Sequence, residues 1–180
     1  MKTMRENQFI VTLLVRNQYG ALTRVAGLFA GRGFNIDSLT VGETDDPDMS
    51  RMTIVSTGDE HVKNQVVLQL GKLVDVRRVE LMDPRRTVAR ELLLVKIGVP
   101  AGHRAVVMEG VQVFRAKVVD LSPESLSIEI TGEIEKIDAF LDYVRPYGIV
   151  EMCRTGATAI GRGEYVLMGE DPRAETPFHL

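Results

Sequence analysis

Hydrophobic and polar positions along the chain fall into short runs whose period switches repeatedly between two and three to four. Residues 8–15 (QFIVTLLV) are apolar, β-branched and of strand length. In residues 20–31 the period lengthens. Leu22, Val25, Ala26 and Phe29 fall at i, i+3, i+4 and i+7, which predicts a helix. Gly31 and Gly33 supply its stop and a tight re-entry. Residues 34–42 (FNIDSLTVG) alternate as a strand, ETDDPDMS turns, and RMTIVST returns as a second strand of a hairpin. Gly58-Asp59 opens a helix over about 60–72, with Val62, Val66, Leu70 and Leu73 as its buried stripe. Residues 74–82 (VDVRRVELM) close the unit as a strand. The order β-α-β-β-α-β within about 75 residues is the split-βαβ, ferredoxin-like pattern.

The second half repeats the order without repeating the residues. DPRRTVAR (83–90) is polar and contains Pro84, so it reads as a linker. ELLLVKIGV (91–99) is a strand, and 101–114 is a helix with Val106, Val107 and Val113 on or near its apolar side. AKVVDLS and LSIEITG pair through the turn Ser122-Pro123-Glu124-Ser125. EIEKIDAFLDYVRPY is a helix with Ile134, Ile137, Phe140, Leu141 and Val144 inward, ended by Pro146. IVEMCRT is the last strand. The fold class is therefore α+β, with two tandem ferredoxin-like βαββαβ modules. The first spans 1–82, the linker 83–90, the second 91–165, and a polar tail with a frayed end covers 166–180. In a split-βαβ sheet the strand after the first helix lies on an edge. Here it carries Ile36, Leu39 and Val41. An uncovered edge offers unpaired N–H and C=O groups, and pairing about a twofold axis would give an eight-stranded sheet and a homodimer.

Composition narrows the function classes. Charged residues make up 26%, hydrophobic residues 44%, and the formal net charge is −3, so no basic excess draws the whole chain onto nucleic acid. No apolar run approaches the ~18 residues of a membrane span, and MKTMRENQ has no apolar core for a signal peptide. The single cysteine, Cys153, excludes an intrachain disulfide framework and suits a reducing cytoplasm. It lies in an apolar strand and reads as a small core hydrophobe. His61, His103 and His179 are far apart, and no HxxxH or CxxC spacing for zinc occurs. Asp45, Asp46 and Asp48 lack the calcium-loop register and read as a solvated turn. Arg24, Arg32 and Arg51 are candidates for a surface that meets a partner, and read as solvated charges rather than hot spots. No catalytic constellation stands out, which points away from an enzyme.

One stretch, NQYGALTRVAGLFAGRGFN (17–35), carries candidate chemistry. Neither G-x-G-x-x-G nor G-x-x-x-x-G-K-[ST] is present, and Gly31-Arg32-Gly33 follows the helix rather than preceding it, so a phosphate cradle is poorly supported. Asn17 to Gly20 instead form a turn that delivers free N–H groups at a helix start. There one negative charge gains roughly 0.3–2 kcal/mol. A carboxylate fits as well as a phosphate. Gly20 permits close approach, Asn17 brings donor and acceptor, and Asn35 begins the edge strand near the proposed twofold seam. Leu22 and Ile36 could wall an aliphatic side chain. A free amino acid is the simplest ligand with those parts. The alternative is that Asn17 and Gly20 only shape a turn and Asn35 caps one. Both readings stand on the residues alone.

NQYGALTRVAGLFAGRGFNIDSLTVG, SRMTIVSTGD and KLVDVRRV, followed by ELLLVKI, VFRAKVVDLS, LSIEITG, KIDAFLDYV and RTG, resemble the regulatory small subunits of acetohydroxyacid (acetolactate) synthase over about residues 7–160. The resemblance implies that the first module is an ACT domain, which pairs with another and binds valine, or sometimes leucine or isoleucine, in the seam. It places effector contacts on Asn17, Gly20, Ala21 and Leu22 of one chain and on Asn35 and Ile36 of the other. It further implies a chain without catalysis of its own. Such a chain activates a separate large subunit carrying thiamine diphosphate, FAD and magnesium, and confers feedback inhibition in branched-chain amino acid biosynthesis. The second module has no N-x-x-G loop, so the effector site is assigned to the first module. An ACT-type sensor acting on transcription or on a different enzyme is the alternative, although no helix-turn-helix is evident. Gly110, inside the third helix, costs roughly 1 kcal/mol against alanine unless backbone packs closely there.

Overall fold

Strand β1 (Gln8–Arg16) is buried along almost its whole length, because both faces of its alternation are apolar or small. It occupies an inner position in an antiparallel sheet with β2 (Ser38–Glu43), β3 (Met49–Thr57) and β4 (Val76–Leu81), in the order β2-β3-β1-β4. Helices α1 (Ala21–Arg32) and α2 (Glu60–Leu70) cover one face. Phe9, Val11, Leu13 and Val15 meet Val25, Phe29, Val66 and Leu70 there, with Val62 and Leu73 partly buried at the margin. This is the split-βαβ sheet that the periodicity predicts, with β2 on an edge. The computed structural model describes residues 7–99 and 101–167. His179 and the tail beyond residue 167 lie outside the described residues.

Two local departures matter for the site. Leu22 belongs to the apolar stripe by spacing, yet it is 45% exposed at the first turn of α1. Strand pairing of β2 starts at Ser38 rather than at residue 34. Gly33, left-handed at φ 69°, closes α1, and the Phe34 amide turns back to the Phe29 carbonyl at 3.0 Å. Residues 35–37 are then held from the side. The Ser56 hydroxyl donates to the Asn35 carbonyl at 2.6 Å, and the Asp37 amide to the Val55 carbonyl at 2.8 Å.

Among the described residues the chain divides into two units, one formed by residues 7–88 and 159–167, the other by 89–158. In the first unit the C-terminal segment returns to the helix-free sheet face. Leu167 clusters with Leu14 and Met49, and Arg78 Nη1 donates to the Leu167 carbonyl at 2.8 Å. The expected linker is largely structured: Pro84–Arg86 is a 3₁₀ turn capped by Asp83, and β5 begins at Thr87. Arg51, read from sequence as solvated, points the other way. It sits opposite Leu14 on the helix-free face, with Nε and Nη2 buried and without a hydrogen-bond partner. Burial pushes its guanidinium pKa down, against the pull of Glu80.

The second unit repeats the topology. Strands β5 (Thr87–Gly98), β6 (Lys117–Leu121), β7 (Ser125–Gly132) and β8 (Ile149–Arg154) run in the order β6-β7-β5-β8, with helices α3 (Arg104–Val113) and α4 (Ile134–Val144) over one face. Ile137, Phe140, Leu141 and Val144 of α4 are buried as expected. On α3 the buried positions are Val107, Gly110 and Val111, at i, i+3 and i+4, while Val106 and Val113 are exposed. Cys153 is exposed as well, correcting its reading as a core residue. It lies on edge strand β8 opposite Leu94, whose side of the sheet bears no helix, whereas the neighbouring positions Leu93 and Val95 face the core.

Two polar features fix the second unit. Arg154 donates to both oxygens of the buried Glu91, at 2.6 and 2.8 Å, and to Asp138 at 2.7 Å. The Glu91 hydrogen bonds, more than any other cause, raise the Arg154 pKa further above its ordinary value. Gly110 answers its own cost: a Cβ there would lie 2.0 Å from Tyr143 Cε1. The absent side chain lets the Tyr143 ring lie on α3 and donate to the Val106 carbonyl at 2.7 Å. Gly110→Ala is therefore expected to destabilise the second unit by about 1–3 kcal/mol despite improved helix propensity. A lower urea midpoint, with β1–β4 signals unfolding later than those of β5–β8, checks this.

Candidate functional site

The turn between β1 and α1 is pinned before it reaches the helix. The Asn17 amide donates to the Asp48 carbonyl at 2.7 Å, and Asn17 Nδ2 to the Pro47 carbonyl at 3.1 Å. Gly20 then takes φ 83° as N-cap, a conformation that favours glycine, and offers no side chain to cap the helix. Ala21 directs its amide to the Gln18 carbonyl at 3.3 Å, and Arg24 its amide to the Gly20 carbonyl at 2.9 Å. Among the described residues, the amides of Leu22 and Thr23 meet no acceptor. The first turn carries no acidic residue either. Two bare donors thus stand at the positive end of the helix dipole, which is a place for an anion.

The predicted site residues fall into two groups. Asn17, Gly20, Ala21 and Leu22 gather at the start of α1. Ala21 is buried and brings backbone only, while Leu22 brings exposed apolar surface. Asn35 and Ile36 follow the other end. Asn35 Nδ2 is engaged with Asp37 Oδ1 at 2.5 Å, and Ile36 leans partly on the core. With Nδ2 of both asparagines occupied, each has its Oδ1 to offer as an acceptor, a match for an ammonium group. The twelve residues of α1 put the two groups ~18 Å apart. A single chain does not bring them together.

A third layer lies beneath the turn. The Asp75 carboxylate, 2% exposed, accepts from Arg24 Nε on one oxygen and from Gln18 Nε2 on the other. The Asp75 carbonyl accepts from the Arg16 amide at 2.9 Å. Arg24, read from sequence as a solvated charge, is thus an ion-pair partner and also reaches the Tyr19 carbonyl at 3.4 Å. Asp37 plays a similar part at the far end of α1, accepting from Thr57 Oγ1 at 2.6 Å and Gln8 Nε2 at 3.2 Å. Sequence reading misses Asp75, Gln18, Thr23 and Asp37. Asp75 lies 57 and 51 positions from its two donors, beyond any local pattern. Among the described residues no group of three His, Cys, Asp or Glu side chains is arranged to hold a metal ion. No helix among them is long and apolar enough to cross a membrane.

Two split-βαβ modules follow one another in the chain, the first with open backbone donors at a helix start. Residues 11–78 match the family model described as an AHAS small subunit-like ACT domain, and residues 90–163 match that of the small subunit of acetolactate synthase. A protein of Methanothermobacter thermautotrophicus named "Probable acetolactate synthase small subunit" is 46% identical over 91% of this chain and 98% of its own. The acetolactate synthase isozyme 3 small subunit of Salmonella typhimurium is 43% identical over 88% of this chain and 98% of its own. The crystal structure of the acetolactate synthase small subunit from Thermotoga maritima superposes with a TM-score of 0.80 at 38% identity, covering 89% of this chain and all of that one. The chain belongs to the acetolactate synthase small-subunit family, the regulatory and not the catalytic subunit of that enzyme.

The carboxylate under the turn has a pH signature. Its hydrogen bond from Arg24, first among the causes, holds the Asp75 pKa below the ordinary carboxylate value despite burial. A depressed folded-state pKa stabilises fully above the unfolded value of about 3.9 and is lost as pH falls through the lower folded value. The stability difference between wild type and Asp75→Asn should therefore be constant from pH 7 to about 5 and shrink below about pH 4. Denaturant titrations across that range measure it.

Proposed function

We propose that this chain activates the catalytic large subunit of acetolactate synthase and makes it answer to valine, or another branched-chain amino acid, held between two ACT domains. The single observation that carries the reading is the separation of the two half-sites by the length of α1. Antiparallel pairing of two β2 edges about a twofold axis would set the helix start of one chain beside Asn35 and Ile36 of the other. Val41 on that edge is 47% exposed, as an unpartnered seam residue would be. The effector's carboxylate would lie on the Leu22 and Thr23 amides, its ammonium on asparagine oxygens, and its side chain between Leu22 and Ile36. Burying that side chain supplies roughly 1.5–3 kcal/mol.

Feedback then follows from linkage. An effector that binds across the pair favours one arrangement of the two ACT domains. If the large subunit is activated by another arrangement, a coupling of about 1–3 kcal/mol gives 5- to 150-fold control. Thiamine diphosphate, FAD and magnesium belong to the catalytic partner, and the complex is cytoplasmic. The family match along both modules favours this reading over a sensor of transcription.

The test is reconstitution with the large subunit and titration of valine, each variant normalised to its own effector-free activity. Gly20→Ala places a Cβ 3.0 Å from the Arg24 guanidinium at a left-handed residue, and Asn17→Ala removes the acceptor. Each is expected to raise the half-inhibitory valine concentration at least tenfold, a loss of about 1.4 kcal/mol. Unchanged potency in both would refute the site.

A further inference from the structure

We propose that Arg24 and Asp75 are positioning residues of the effector turn, holding its backbone donors in place and thereby setting effector affinity. The inference rests on the reading of that turn as an amino-acid site and names the part of the chain that keeps it in shape.

The geometry is specific. The turn contributes no side chain that bonds back onto its own helix start, and within it only backbone bonds, such as that from the Ala21 amide to the Gln18 carbonyl, hold the Leu22 and Thr23 amides in direction. Arg24, one turn into α1, supplies a further restraint from below. Its Nε is bonded to Asp75, its Nη2 reaches the Tyr19 carbonyl, and its Nη1 lies where a Gly20 Cβ would touch it. Asp75 fixes the same turn twice more. Its second oxygen accepts from Gln18, and its backbone carbonyl accepts from the Arg16 amide. Gln18 and Arg24 are thereby tied to one buried carboxylate just before β4, Arg16 to the backbone carbonyl of the same residue, and Tyr19 to it through Arg24.

The arrangement also keeps the cation off the ligand. A guanidinium free to swing outward would offer an incoming carboxylate a second, competing partner, whereas Arg24 is engaged by a carboxylate already present. What the ligand meets is then neutral backbone at a helix start. Such donors bind well only when their direction is fixed beforehand, since ordering them on binding subtracts from affinity.

Two readouts on the full chain test this. Hydrogen exchange is followed at the Arg16, Asn17 and Ala21 amides, which are bonded in the wild type to Asp75, Asp48 and Gln18 carbonyls. Valine inhibition is titrated on the holoenzyme reconstituted with its catalytic subunit. Asp75→Asn alters a buried group, so Arg24→Gln, whose side chain is 44% exposed, serves as the second variant. Both variants are expected to exchange faster at the three amides with β3 unchanged. The half-inhibitory valine concentration should rise about tenfold at unaltered maximal inhibition. Arg24→Lys should fall between wild type and Arg24→Gln in both readouts, a grading that simple loss of fold would not produce. Exchange at wild-type rates in both variants overturns the proposal. So does faster exchange with superimposed valine titrations. If no branched-chain amino acid inhibits the wild-type holoenzyme, the effector reading fails by itself, and the exchange rates still decide whether the pair braces the turn.

Discussion

The length of α1 sets where the first module presents its open polar groups. Its start presents bare amides and its end delivers Asn35 and Ile36, with ~18 Å of helix between them. No side-chain rotation closes a gap of that size. The same helix must bury Val25 and Phe29 against β1, so it cannot shorten or turn without opening the core. The packing of α1 on β1 therefore keeps the two sets of residues apart within one chain.

The two modules share topology and differ in where their polar groups are placed. In the first, charge collects beneath the β1–α1 turn, where Asp75 joins residues from three elements. In the second, the partly buried ion cluster of Glu91, Arg154 and Asp138 ties β5 and β8 to α4. Its α3 starts from a 3₁₀ turn at Ala101–His103 with no glycine N-cap. Gly110 there serves packing, admitting the Tyr143 ring.

Periodicity made the architecture legible because a four-stranded sheet with helices on one face leaves a clean pattern in every element. The two strand orders and the α2 and α4 stripes follow from it. The turn at 17–20 was legible because glycine and asparagine have few other reasons to sit together before a helix. What stayed hidden depends on distant partners. Asp75 carries no local mark of its role. Cys153 looks like core until β8 proves to be an edge. Val106 and Val113 share the valines' composition with Val107 but not its angle on the helix. Arg51 looks like a surface charge because nothing near it in sequence announces a covered sheet face.

Leu167 changes how the chain can be divided. The family models assign the two modules to consecutive stretches, ending and starting between residues 78 and 90. Yet Leu14 and Met49 take their cover from Leu167, and Arg78 has one of its acceptors there. A fragment cut after Val88 would uncover Leu14 on β1 and Met49 on β3 and would remove one acceptor of Arg78. Such a piece would be prone to self-association for reasons unrelated to the proposed pairing of β2 edges. Dissection of this protein by consecutive boundaries would thus create a sticky surface and misreport its assembly, whereas splicing residues 159–167 back onto the first module preserves the native face.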